Sequence, residues 1–493
     1  MPPKRKTSIA ERNSTSKRRR TDGGARQFGA AASDDERPFV STAGATATHS
    51  TRRIWQTTPP TLANIALRVA AMRIQDLWRP SLEMHTKAML KELPPDLIPR
   101  LFAQLQIYHP TILKSELIVT YFVPRSPQIV LTGSLTGATS QTIRGIAEYA
   151  PSDLRLLELS GLPPKVLSDT KTKGLFQKLP RLEVLILRES KGVGPVLVTA
   201  AATHCPKLKQ VNLNDTQAST ESVVTLLSSC KRLQTLKLAG IPHLSKTGLK
   251  PILNYAKDRS GYRNLLSYFP HLRRLDISYT TVHFNTALVG GLPPALEKLI
   301  IRCTPTTGPE LSEVIPHFKQ LRTLDIGALG PGGKGTVAML TGSIFSLTPP
   351  VLRQVTNALA SFEHLERMSL AANLQITAFE SDADPDEPTA VQDFIRRVGR
   401  RCKYLDMSDN VSLKGSDFLY LVPDPEAVDF SLAAVSNLEH LKLSNTKLDD
   451  EVADCIASCT NLRILDLEAT HISVYGYKTA EEYLKHGKNT AIK

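Results

Sequence analysis

Apolar positions recur along this chain in a fixed frame. L-x-x-L-x-L stands at Leu438, Leu441 and Leu443 and returns 24 residues later at Leu462, Leu465 and Leu467. The alternation predicts a short strand with its leucines on one face. Between the two copies, Val452, Cys455 and Ile456 share helical spacing and predict a return helix. The frame also opens at Leu154, Leu182, Leu208, Leu233, Leu272, Leu296, Leu321, Leu365 and Cys402, giving eleven rungs, and a fainter one at Ile129 and Leu131 precedes them. Units of this length bury their apolar face only by stacking on neighbours, so the pattern predicts a solenoid. Six intervals span 24–28 residues; the other four, of 36–44, predict insertions near residues 255–268, 329–350, 376–394 and 415–434.

Two smaller patterns narrow the class. Several strands are preceded by HCPKL, SCKRL, YFPHL, HFKQL or SCTNL, and several leave through ELSG, DISYTTV, KLSNTKL or DLEATHI. In these motifs, roughly residues 90–473 resemble the cysteine-containing leucine-rich repeats of F-box/leucine-rich-repeat proteins. They are also similar to the leucine-rich-repeat subunits of fungal global-genome nucleotide-excision-repair complexes. The resemblance implies an α/β, ribonuclease-inhibitor-like horseshoe, a parallel sheet lined by convex helices. It further implies a substrate-recognition subunit of a cullin-type ubiquitin ligase, with a link to DNA repair.

The pattern changes outside the frame. Residues 1–53 are poor in apolar side chains and predict a disordered tail. Lys4, Arg5 and Lys6, then Lys17, Arg18, Arg19 and Arg20 after a ten-residue gap, resemble a bipartite nuclear-import signal. That implies an importin as partner and the nucleus, alongside the cytoplasm, as location. Residues 54–125 form a helical region in which Leu62, Ile65, Val69 and Met72 fall on one stripe. Thr61, Leu62, Ala66 and Val69 are similar to the elongin-C-binding box, with Ala66 at its Cys position. ELPPDLIPRLFAQL, with Leu93, Pro94, Leu97 and Leu101, resembles the first helix of an F-box, although ILKSELIVTYFV lacks the later Val-Cys and Trp. Either set implies docking to a ligase adaptor; the alternative is a cap over the open end of the first rung. The solenoid is assigned to 126–473, and 474–493 to a C-terminal cap with a basic tail.

Strand residues between the leucines are expected on the concave face. In the middle of the arc they include Arg274, Asp276, Lys298, Arg302, Asp325, Arg367, Tyr404 and Asp406. Mixed charge around an aromatic points to a protein client, since a nucleic-acid groove needs few carboxylates and several stacking rings. The alternative is a solvated face with internal ion pairs, and the chain as a scaffold with no ligase link.

Charge and composition add little to this. Half of the net charge of +14 lies in residues 1–53, so it is partly a property of the tail. The six cysteines include no C-x-x-C pair, so no zinc site is expected, and buried thiols imply a reducing compartment. No apolar run suggests a signal peptide or membrane span. Gly327–Thr336 has the flavour of a phosphate loop but lacks Gly and Ser/Thr at the required places. No enzyme, cofactor, metal or small-molecule substrate is expected.

Overall fold

The computed structural model describes residues 61–170, 172–242, 244, 270–282, 292–329, 347–377, 387–424, 435–485 and 491–492. The basic clusters at Lys4–Lys6 and Lys17–Arg20, the first insertion, most of the second and about half of the third and fourth lie outside them.

Every predicted rung is a strand: β1 Gln128–Thr132, β2 Leu156–Ser160, β3 Val184–Ile186, β4 Gln210–Asn212, β5 Thr235–Lys237 and β6 Arg274–Asp276. β7 Lys298–Ile300, β8 Thr323–Asp325, β9 Arg367–Ser369, β10 Tyr404–Asp406, β11 His440–Lys442 and β12 Ile464–Asp466 follow. A last short strand, β13 Ala491–Ile492, extends the sheet beyond residue 473. All lie parallel in chain order, the topology of an α/β leucine-rich-repeat solenoid. The register aligns like with like: Leu441 lies between Leu405 and Leu465, and Leu299 between Leu275 and Leu324. Consequently the inner leucines of every rung form one continuous core.

The return segments obey the same logic with variable geometry. Helices Thr220–Ser229, Gly308–Val314 and Ala390–Arg397 start in capping boxes at Ser219, Thr307 and Thr389. Gly415–Leu421, assigned from sequence to an insertion, is instead the 3₁₀ return of its own rung, with Phe418 and Leu421 fully buried. That insertion therefore starts later than the repeat spacing suggests.

From β2 to β12, each rung leaves its strand through one left-handed residue. Two are Gly161 and Gly240; the others are Glu189, Asp215, Tyr279, Cys303, Ala328, Ala372, Asp409, Asn445 and Ala469. A side chain there costs roughly 1–2 kcal/mol, and the next residue helps to offset it. Thr216, Thr280, Thr304, Thr446 and Thr470 donate their hydroxyls to the carbonyl three residues back, at 2.6–2.9 Å. Asn373 and Asn410 do the same with their amides and also reach the carbonyls of Ile326 and Leu370 in the preceding rung. Carbonyls at seven of the exits where strands turn outward are thus given a partner.

The residue before each strand forms a second ladder. Arg155, Glu183, Lys209, Gln234, Arg273, Glu297, Arg322, Glu366, Lys403, Glu439 and Arg463 stand side by side, each amide donating to the carbonyl of the residue before it in this series. Their charges alternate, broken only by neutral Gln234. Lys209–Glu183 at 2.8 Å, Arg322–Glu366 at 3.1 Å, Lys403–Glu366 at 3.6 Å and Arg463–Glu439 at 3.3 Å are ion pairs between rungs. Lys209 also holds the Glu183 carboxyl below its ordinary range. Each exposed pair contributes about 0.2–1 kcal/mol.

Ahead of the sheet lies a helical layer: α1 Leu62–Met72, α2 Ile74–Leu77, α3 Glu83–Glu92 and α4 Ile98–Tyr108. α4 is the true cap. It buries Ile98, Leu101, Phe102 and Leu105, and the Phe102 ring meets that of Phe122, at the end of the helical segment before β1, tilted at 5.0 Å. Gln106 Nε2 donates to Val130 O at 2.9 Å, pairing a carbonyl on the first strand. α1 packs on α4 through Leu67 and Ala71, and Arg68 Nε donates to Tyr108 Oη at 2.8 Å.

Candidate functional site

Two surfaces gather the residues that the sequence singles out. The first is the outer side of α1. Thr61 caps this helix by accepting the Asn64 amide, and the Ala-rich body that follows favours it. Its predicted stripe does not face the core: Leu62 is 81% exposed, Val69 53%, Met72 50% and Ile65 44%, and Ala66 is exposed with them. The opposite, narrower face of Leu67 and Ala71 is the buried one. The second predicted adaptor set lies differently. Leu101 is buried, Leu93 and Leu97 are half-buried against the core, and only Pro94 is exposed. Capping the solenoid uses the F-box-like leucines and leaves the α1 stripe uncovered. An uncovered row of four large apolar side chains on one helix is unusual for a surface without a partner.

The second surface is the concave face between β6 and β11. Arg274, Lys298, Arg367, Tyr404 and His440 share one row across the strands; Asp276, Asp325, Ser369, Asp406 and Lys442 share the next. The carboxylates have structural work of their own. Asp276 accepts the amide and hydroxyl of Ser278 at 3.1 and 2.7 Å. Asp325 accepts the Gly327 amide at 3.0 Å, and Asp406 the Ser408 amide at 3.1 Å. Each turns its own strand outward, as Asn212 does with the Asn214 amide. Burial pushes the Asp276 and Asp325 carboxyls above their ordinary range. Arg302 counters this at Asp325: a Cβ on Gly327 would lie 3.3 Å from its guanidinium carbon, so the missing side chain gives it passage.

Tyr404 is the centre of what remains. It is buried, and its hydroxyl donates to Asp406 Oδ2 at 3.3 Å. Arg367 lies over its ring at 4.4 Å, Lys442 at 5.6 Å, and the His440 ring is 6.1 Å away. Burial and the negative Asp406 push the phenol up; burial and Arg367 push the His440 imidazole down. Ser369 is 6% exposed, lies between Asp325 and Asp406 in register, and among the described residues no group hydrogen-bonds its Oγ. The charge pattern alone does not single out Ser369, His440 or Lys442; their places in the frame beside Tyr404 do.

Five of the six cysteines are placed as core, and Cys303, in a left-handed exit, is half-buried. Burial pushes the thiols of Cys205, Cys402 and Cys459 up to about 12 and that of Cys230 to about 11, where thiolate chemistry at neutral pH is suppressed. Among the described residues no helix is long and apolar enough to cross a membrane.

No family model matches the chain. The antagonist of mitotic exit network protein 1 of Eremothecium gossypii is 31% identical over 141 residues, covering 23% of this chain. The chain spans 36% of that protein's length. Among solved structures, the Rad7 and Elc1 complex of yeast aligns over 85% of this chain and 96% of that one, at 14% identity and a TM-score of 0.44. An internalin of Listeria monocytogenes aligns over 74% and 86%, at 17% identity and a TM-score of 0.38.

Proposed function

We propose that this leucine-rich-repeat protein is the substrate-recognition subunit of a cullin-type ubiquitin ligase, with α1 gripping an elongin-C-type adaptor and the concave face selecting the client. The observation that carries the reading is the outward stripe of Leu62, Ile65, Val69 and Met72 on a helix whose other face is already docked. An amphipathic helix with uncovered anchors at this spacing fits an apolar groove on a partner. An F-box mode is less well supported, because Leu101 is in the core and Leu93 and Leu97 pack against it. The basic clusters at Lys4–Lys6 and Lys17–Arg20 support action in the nucleus, where a client linked to DNA repair would be met.

The test is co-expression of the full chain with elongin C and, separately, with an F-box adaptor, followed by size exclusion. A one-to-one elongin C complex that is lost on Leu62→Asp is the expected result. If the folded chain elutes without either adaptor, the ligase reading falls and a nuclear interaction scaffold takes its place.

A further inference from the structure

The concave face carries a second, more local message. Across β5 to β11, the residues facing the hollow include Lys237, Arg274, Lys298, Arg302, Arg367 and Lys442 against Asp276, Asp325 and Asp406. Two of the three carboxylates are pushed toward their neutral forms by burial, and all three accept the amide of their own turn. All three carboxylates are therefore engaged by their own turns.

Two of these cations meet at Tyr404. Arg367 and Lys442 are half-buried beside its ring, where partial desolvation strengthens their attraction for an anion. The Ser369 hydroxyl, between the same strands, is buried beneath them and is used by no described residue. A single carboxylate between Arg367 and Lys442 would find two charged donors together. Single-stranded nucleic acid fits this surface less well. The ring of Tyr404 is already covered by Arg367, so it offers no free platform for a base.

We infer that the Arg367–Tyr404–Lys442 cluster is the anchor for an acidic segment of the client protein, one Asp or Glu side chain entering between the two cations. The inference rests on the concave half of the proposed function and not on the adaptor half. From β6 to β11 the strands cover roughly 24 Å, so an extended segment of about eight residues crosses the cluster.

The experiment is fluorescence anisotropy of the full chain with a labelled peptide of alternating Glu and Ala, about eight residues long, at low ionic strength. A matched Lys/Ala peptide and a short oligo-dT serve as comparators. The basic tail adds the same background to every variant, so the readout is the difference between variants. Arg367→Gln and Lys442→Gln should each weaken the Glu/Ala peptide by about tenfold, Arg367→Lys by less, and Leu62→Asp not at all. Lys442→Glu should transfer preference to the Lys/Ala peptide. Thermal melts identify a variant that fails to fold; Lys442 is half-exposed and makes its substitutions the decisive ones in that case. Equal binding of the Glu/Ala peptide by the wild type and both folded Gln variants would overturn the inference. So would oligo-dT binding more tightly than the peptide and being lost on the same substitutions. Charge-dependent peptide binding without any adaptor complex would keep this site and remove the ligase reading instead.

Discussion

α1 and α4 are helices of equal length in the same layer, each with apolar residues on one side, yet they use that side in opposite ways. α4 turns Ile98, Leu101, Phe102 and Leu105 into the end of the core, while α1 turns Leu62, Ile65, Val69 and Met72 away from it. The difference comes from what each must cover. A solenoid needs one apolar lid at its open end, and once α4 supplies it, α1 has only a narrow strip of α4 to pack on. Its small face, Leu67 and Ala71, suits that strip, and the bulky face is left over. Periodicity says which residues travel together; it does not say which side of a helix finds the core.

This contrast can be broken from either end. The largest effect is expected at α4: Leu101→Ala should cost about 2–5 kcal/mol through the cavity it leaves, read as a lower denaturation midpoint. An unchanged midpoint would mean that α4 is not the lid. Gln106→Ala should cost about 1 kcal/mol, because the Val130 carbonyl loses its partner, and hydrogen exchange in β1 should rise with it. Leu62→Asp should move stability by less than about 0.5 kcal/mol while abolishing the adaptor complex; a large loss of stability would show that the stripe is covered after all. The smallest effect belongs to Arg68→Ala, which removes the link to Tyr108. It should leave the midpoint nearly fixed and speed amide exchange in α1 before α4.

Much of the fold was legible. Eleven leucine frames became eleven strands because their inner positions must bury and the register puts them together, even where an insertion intervened. Less of the site could be read. Asp276, Asp325 and Asp406 look like recognition residues in a list of exposed positions, but Asp-x-Ser and Asp-x-Gly are also turn signals, since a carboxylate there takes the amide two residues on. Tyr404 was visible, whereas Ser369 and Lys442 matter only through which strand lies beside which. The nine non-glycine residues in left-handed exits carry no compositional mark at all. Their common feature is position, and the Thr or Asn that follows seven of them is the better clue.

The charge ladder in front of the strands bears on how such a chain can lengthen. Its residues alternate in sign from Arg155 to Arg463, at a spacing of one strand. Copying a single charged rung would set two like charges about 4.8 Å apart, whereas copying a neighbouring pair preserves the order. Growth of this array is thus constrained by parity, with one exception: the rung of Gln234 can be doubled without placing like charges together. Melting temperatures of one-rung and two-rung duplications would read that constraint directly, the two-rung chain being the more stable.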